Sequence, residues 1–340
     1  MANKKRTTLK DIANELNIST AAVSKAMHDD SRISAKTKAE VKRVAKELNY
    51  QPNHLASALR KGKSNLVGVI VPRTNSNFFS SVIQNMEEIL NKEGYNIIIT
   101  QSNESFKKEC DNIDTLLFTQ VDGIIASMAN ETVDLSFYEK IKSNGIPLIL
   151  FDRGENDLNV DYIGIDDYES SHMIIEHLIS KGCKRIAHIG GFRRTRIYNN
   201  RIRGYIDAIG KYNLPQEDYL LIESSLSLED GRIKMEELLA LDNPPDAVYI
   251  ASDYAALGAL QVLNEQNIKV PEDICLVGFG NEPFTSLVSP SISTVNQHSS
   301  QIGKIAAETF IKRINTENWK PKLDKNILKS ELIIRKSSNR

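Results

Sequence analysis

Cysteine is scarce in this chain: Cys110, Cys183 and Cys275 are its three thiols in 340 residues. They lie far apart, no pair has metal-ligand spacing, and their odd number argues against a disulfide framework. They read as small buried thiols in a reducing compartment. Long apolar runs are missing as well. None approaches the roughly 18 residues of a membrane helix, and no apolar segment follows the charged N-terminus as a secretory signal requires. A cytoplasmic protein with no membrane partner is therefore expected. Catalytic signatures are also lacking: GxSxG, HExxH and GxGxxG do not occur, and the six histidines are scattered. Gly62-Lys63-Ser64 looks like the end of a P-loop. However, Ser57 stands where the first glycine should be, and the segment precedes a strand when it should follow one. Neither enzymatic activity nor a metal or cofactor is expected.

Net charge is small, −1 overall, but the average hides an asymmetry. Residues 1–63 carry 14 Lys/Arg against 6 Asp/Glu, while the rest of the chain carries 29 against 38. A basic head on an acidic body points to a polyanion for the head alone, or to a merely solvated helical surface. The pattern within the head favours the first. Thr8-Leu9-Lys10-Asp11 is a capping sequence, and Leu9, Ile12, Ala13 and Leu16 follow at helical spacing. Asn17 and Ile18 make a turn, Ser19 caps a second helix, and Ala22, Val23, Ala26 and Met27 form its inner face. Ser34 caps a third helix whose inner face is Val41, Val44, Ala45 and Leu48, ending near Asn49 and Tyr50 before Pro52. Three short helices in this span suit a helix-turn-helix domain. Its second helix presents Thr20, Ala21, Ser24 and Lys25 outward, where a lysine can donate to guanine and a threonine can meet a thymine methyl.

This segment resembles the lactose-repressor (LacI/GalR-type) family of bacterial regulators. The matching residues are Thr8-Leu9-Lys10-Asp11-Ile12-Ala13, Ser19, Val23-Ser24, Ser34-Ala35-Lys36-Thr37, Tyr50-Gln51-Pro52-Asn53, Ala56 and Leu59, and the likeness continues through the body. The resemblance implies a homodimer on pseudo-palindromic double-stranded operator DNA. It implies DNA contacts from Thr8, Ser19, Thr20, Ala21, Ser24, Lys25, His28 and Arg32, and from Asn53, Ala56 and Leu59 in a hinge helix that folds on DNA. Leu59 would wedge into the minor groove; read without the family, residues 52–60 are a plain linker, too short for a stable helix alone.

From Leu66 onward apolar runs alternate with amphipathic stretches. VGVIVP (67–72), NIIITQ (96–101), DGIIAS (122–127) and PLILFD (147–152) read as buried parallel strands. After 162–166 the pattern restarts with RIAHIGG (185–191), YLLIES (219–224), AVYIAS (247–252) and CLVGFG (275–280). The fold expected is α/β: an N-terminal three-helix helix-turn-helix domain plus a two-lobed, doubly wound parallel-sheet sensor of the periplasmic-binding-protein type. The boundaries are 1–50 for the head, 51–63 for the hinge and 64–340 for the sensor. One lobe takes about 64–164 plus 296–323 and the other about 165–295 plus 324–340. Residues 162–166, Asn296-Gln297 and the segment near Trp319 to Lys322 would cross between them, and a last strand, 327–335, would join the second lobe.

Ligands in such folds bind beyond the carboxyl ends of the strands, in a cleft between lobes. That rule nominates Asn75, Asn77, Phe78, Phe79, Asp152, Arg153, Arg201, Asp253, Asn281 and Glu282. The family resemblance implies effector contacts around Phe78 and Phe79 and at Asp152, Arg201, Asp253 and Asn281; with Asn77 these make up the expected effector site. Carboxylates and an arginine suit paired hydroxyls, and an aromatic face suits a sugar ring, so the effector expected is a carbohydrate. Competing roles are a helix cap for Asp253, a surface ion pair for Arg201, core or dimer face for Phe78 and Phe79, and a hinge role for Asp152. Leu226 stands where relatives carry an aromatic. The loop Phe192-Arg193-Arg194-Thr195-Arg196 is either solvated or suited to an anionic effector such as a sugar phosphate. The function expected is a sequence-specific DNA-binding regulator, a repressor, switched by a small effector. The alternatives are a regulator controlled by a protein co-effector and an extracytoplasmic-type sugar-binding protein.

Overall fold

The computed structural model describes residues 7–50, 63–316 and 323–340. The chain divides after Ser64 into two compact units. In the first, α1 (Leu9–Leu16), α2 (Thr20–Met27) and α3 (Ala35–Glu47) pack around Ile12, Ala13, Val23, Ala26, Val41, Val44 and Ala45. The caps are those the sequence calls for. The Thr8 hydroxyl and backbone N–H both donate to the Asp11 carboxylate at 2.7 Å. Ser19 Oγ accepts from Ala22 N–H and Ser34 Oγ from Thr37 N–H. Asn17 takes the left-handed conformation (φ 50°) that ends α1. Leu48, expected inside, is 36% exposed; it follows the last turn of α3, beyond the reach of α1 and α2, and Tyr50 covers the core there instead.

The second unit holds two parallel sheets. The first has the order β11-β5-β4-β3-β1-β2. Its strands are β1 (Leu66–Val71), β2 (Asn96–Gln101), β3 (Gly123–Ala126), β4 (Leu148–Phe151), β5 (Asp161–Ile165) and β11 (Lys325–Leu328). On one face lie α4 (Asn77–Lys92) and α11 (Ser299–Ile314), on the other α5 (Phe106–Phe118) and α6 (Ser136–Ser143). The period of two is visible in β1. Val67, Val69 and Val71 face α4 and α11, while Ile70 faces α5 and α6. Gly68 is required by close approach, since a Cβ there would lie 2.7 Å from Leu116 of α5.

The second sheet has the order β7-β6-β8-β9, from β6 (Ile186–Gly190), β7 (Leu221–Glu223), β8 (Ala247–Ile250) and β9 (Cys275–Val277). It is covered by α7 (Asp167–Ser180) and α8 (Arg196–Lys211) on one face and by α9 (Leu228–Leu239) and α10 (Asp253–Glu265) on the other. No helix among the described residues is long and apolar enough to cross a membrane.

The last expected strand is two. Residues 325–328 pair with β5 in the first sheet, whereas β12 (Glu331–Ile333) pairs antiparallel with β10 (Thr294–Asn296). The third passage between the lobes therefore falls at Lys329-Ser330, not near Trp319 to Lys322, and residues 324–328 belong with the first lobe. The physical reason is that β5 presents an open edge that β11 closes, and Asp324 N–H donates to Asp161, which also holds Arg313 of α11 at 2.6 Å. Residues 319–322 lie outside the described residues.

Candidate functional site

In the head, Thr20, Ala21 and Lys25 are exposed on α2, whose first turn is the part of a recognition helix that reads bases. Ser24 is half-buried and its carbonyl receives His28 Nδ1 at 2.7 Å. The Ser19 hydroxyl is committed to capping α2, as Thr8 is to α1. Arg32 is exposed but already gripped by Asp30, with Nε to Oδ1 at 2.9 Å and Nη2 to Oδ2 at 2.6 Å. Arg43 is tied to Glu40 and Glu47, and Lys42 to Asp29. Lys10, Lys25, Lys36 and Lys46 make no ion pair within 4 Å among the described residues. Asn53, Ala56 and Leu59 lie outside the described residues.

In the sensing unit, a cavity of about 310 Å³ opens at the carboxyl ends of both sheets. Five of the seven expected effector residues line it: Phe78, Phe79, Asp152, Arg201 and Asp253. Asn77 does not; it is exposed in the first turn of α4. Asn281 does not either, because its side-chain Oδ1 accepts from Arg335 Nη2 at 3.0 Å, turned to the C-terminal segment. The causes differ: Asn77 lies on the solvent side of the first turn of α4, whereas Asn281 is held by a partner in its own lobe.

The first lobe supplies a charged wall. Asp152, at the end of β4, adopts φ 57°, a left-handed conformation that aspartate tolerates. Its carboxylate receives Ser127 Oγ at 3.4 Å and lies 3.9 Å from Arg153 Nε. Burial pushes its pKa up, against the pull of Arg153 and Arg201. Arg153 donates to Glu104 at 2.6 Å and to the Tyr198 hydroxyl of the opposite lobe at 3.2 Å, while its Nε has no hydrogen-bond partner. Arg73 Nε lies 3.3 Å from Glu104.

The second lobe supplies Arg201, which is 3% exposed and so is not a surface ion pair. Its Nε donates to Asp167 at 2.8 Å and Nη1 to the Ala251 carbonyl at 3.2 Å, and its guanidinium carbon sits 3.6 Å from the centre of the Phe279 ring. Asp253 is the first residue of α10, after the N-cap Ser252. Its carboxylate accepts from Glu282 N–H at 2.8 Å and Thr294 Oγ1 at 2.7 Å. Burial raises its pKa to about 7, opposed by those two bonds. Gly278 makes room for it, because a Cβ there would lie 2.2 Å from Asp253 Oδ1. Glu104, Tyr198, Phe279 and Gln297 were not nominated as effector contacts, although all four line the cavity. Glu104 follows β2, so extending the strand-end rule to every strand would have found it.

The basic loop before α8 is partly solvated, with Arg193 and Arg194 exposed, yet it also reaches the first lobe. Arg194 Nε donates to the Asn130 carbonyl at 3.0 Å and Thr195 Oγ1 to the Asn130 side chain at 3.2 Å. Arg196 Nε donates to the Gly154 carbonyl at 2.7 Å and its guanidinium covers the Tyr162 ring at 4.4 Å. Arg193 pairs with Glu223 at 3.1 Å. The loop is thus a clasp from the second lobe onto the first. Leu226, with φ 62°, is buried and lines the cavity without supplying an aromatic face.

A helix-turn-helix head joined to a two-lobed receptor with a polar and aromatic cleft defines a ligand-sensing DNA-binding regulator. Comparison with known proteins gives the same class. Residues 8–53 match the model of bacterial regulatory proteins of the lacI family, and residues 175–338 match the periplasmic binding protein-like domain. The HTH-type transcriptional regulator DegA of Bacillus subtilis is 31% identical over 98% of both chains. The ribose operon repressor of Haemophilus influenzae is 29% identical over 92% of this chain and 93% of its own. A solved complex of the transcriptional regulator CelR with cellobiose superimposes with a TM-score of 0.74 at 25% identity, covering 98% of this chain and all of that one. The chain belongs to the lacI family of bacterial regulatory proteins, and it is a DNA-binding transcription regulator that responds to a small effector.

Proposed function

We propose that this protein is a cytoplasmic, homodimeric repressor whose hold on a pseudo-palindromic operator is switched by an uncharged carbohydrate in the cleft. One observation carries the effector class: the charge arrangement of the cleft. Arg73 and Arg153 already face Glu104, and Arg201 faces Asp167. Asp152, Asp253 and Glu282 add further carboxyl groups, so each of these three arginines already has a carboxyl neighbour. Carboxyls that burial keeps partly protonated can both donate to and accept from sugar hydroxyls. The rings of Phe79, Tyr198, Tyr254 and Phe279 give the apolar faces that a pyranose covers. Two relatives fit this class: one is named a ribose operon repressor and one was solved with cellobiose.

The test is a thermal-shift and calorimetric screen of the full chain against neutral mono- and disaccharides, uronic acids, sugar phosphates and nucleosides. A neutral sugar should raise the melting temperature and change operator affinity. Saturable binding confined to nucleosides or to an anionic compound would remove the proposal. Arg201→Ala should abolish the effector response while operator binding persists; an unchanged response in a gel-shift titration would take Arg201 out of the site.

A further inference from the structure

Glu282 sits where the two lobes meet. It follows β9 in the second lobe, is 6% exposed and lines the cavity. Its own N–H is anchored on Asp253 at 2.8 Å. Its carboxylate reaches the first lobe at the N-terminus of α4. Ser76 Oγ donates to Oε1 at 3.4 Å. Burial pushes the pKa of this carboxyl up, and the nearby amides of Phe78 and Asn77 pull against that rise. Ser76, the N-cap of α4, makes no capping bond with its own side chain. The N-terminus of this 16-residue helix therefore has a carboxyl group from across the cleft beside it.

A helix N-terminus opening on a ligand cleft is where a phosphate or carboxylate of a ligand would be held. Here that position is filled by the protein. Resting on the uncharged-carbohydrate reading above, we propose that Glu282 determines the effector class: as an internal counter-ligand on the α4 N-terminus, it bars carboxylate- and phosphate-bearing effectors and leaves the cleft to neutral ones. An anionic effector held at that helix end would have to displace a tethered carboxyl group. A neutral sugar need not.

The experiment uses the full chain as wild type, Glu282→Gln and Glu282→Ala, with inorganic phosphate as the probe at constant ionic strength. In the wild type, about 10 mM phosphate should move the melting temperature no more than matched chloride does. Both variants should gain a saturable rise, and hydrogen exchange should show phosphate-dependent protection at the amides of Asn77 and Phe78. A hexose phosphate should then bind the variants at least tenfold more tightly than the wild type. Glu282→Gln keeps the shape and an acceptor oxygen, so it reports even where the alanine variant does not fold. The proposal is overturned if neither variant gains phosphate protection at Asn77 and Phe78, or if the wild type shows the same protection. Failure of every neutral sugar to bind the wild type would instead sink the carbohydrate reading, because the phosphate arm needs no sugar.

Discussion

Single side chains in the cleft are held by more than one lever, and Asp253 is the plainest case. Its carboxyl is buried and its pKa is raised to about 7, from an ordinary value near 3.8. The neutral form is therefore favoured by folding. Its stabilisation is complete below about pH 4 and is lost as pH rises through 7. Asparagine at this position has no charge to desolvate. It can accept from Glu282 N–H and donate to Thr294 Oγ1, which also accepts from Asn281 N–H. Asp253→Asn should therefore melt higher than the wild type by ~3–6 °C at pH 8, with the gap closing towards pH 5. A gap independent of pH in thermal denaturation would contradict the burial argument. Arg201 and Asp167 behave differently. They are a buried pair, so loss of either partner strands a charge, at a cost of roughly 3–5 kcal/mol. Arg201 was legible in the sequence from its place early in the helix after Gly190-Gly191. Asp167 was not, because nothing in a local window links it to a residue on the next helix.

At the scale of elements, apolar runs suffice for the strands: each of the eight expected within the two sheets has its counterpart, the half-exposed β2 and β7 included. The failure came at the chain end. Residues 325–335 are short, half-exposed and shared between two pairings, so periodicity has little to report. In the basic loop a run of arginines looks alike in sequence whether it faces water alone or also the other lobe. Its contacts with Asn130, Gly154 and Tyr162 make it a brace between the lobes. Arg196→Ala removes one hydrogen bond and one cation–π contact, together worth ~1–2 kcal/mol. Effector affinity should fall ~5–20-fold, and small-angle scattering should report a larger radius of gyration for the unliganded sensor. Unchanged scattering and affinity would show that the loop does not brace the lobes.

For the whole molecule, charge is unevenly placed even within the head. Residues 7–50 hold eight Lys/Arg against six Asp/Glu, so most of the excess positive charge lies in Lys4-Lys5-Arg6 and in Arg60, Lys61 and Lys63. Operator affinity should drop at least tenfold between about 50 and 200 mM salt. Replacing Lys4, Lys5 and Arg6 by glutamine should flatten that slope without changing which operator is preferred. A slope that does not move would place the phosphate contacts elsewhere. Leu59→Ala should weaken operator binding while effector binding stays constant, as paired gel-shift and calorimetric titrations would report; equal operator affinity would end the minor-groove role proposed for it. The sequence alone determined the helix-turn-helix head, the two doubly wound lobes and the class of regulator, because caps, periodicity and strand runs are local and each follows from a few neighbouring residues. Only the tertiary structure decided how the cleft is wired. Glu104 against Arg153, the clasp on Asn130, and Glu282 on the α4 N-terminus join residues distant in the chain, and such pairings arise from the packing of two lobes, which no local pattern encodes.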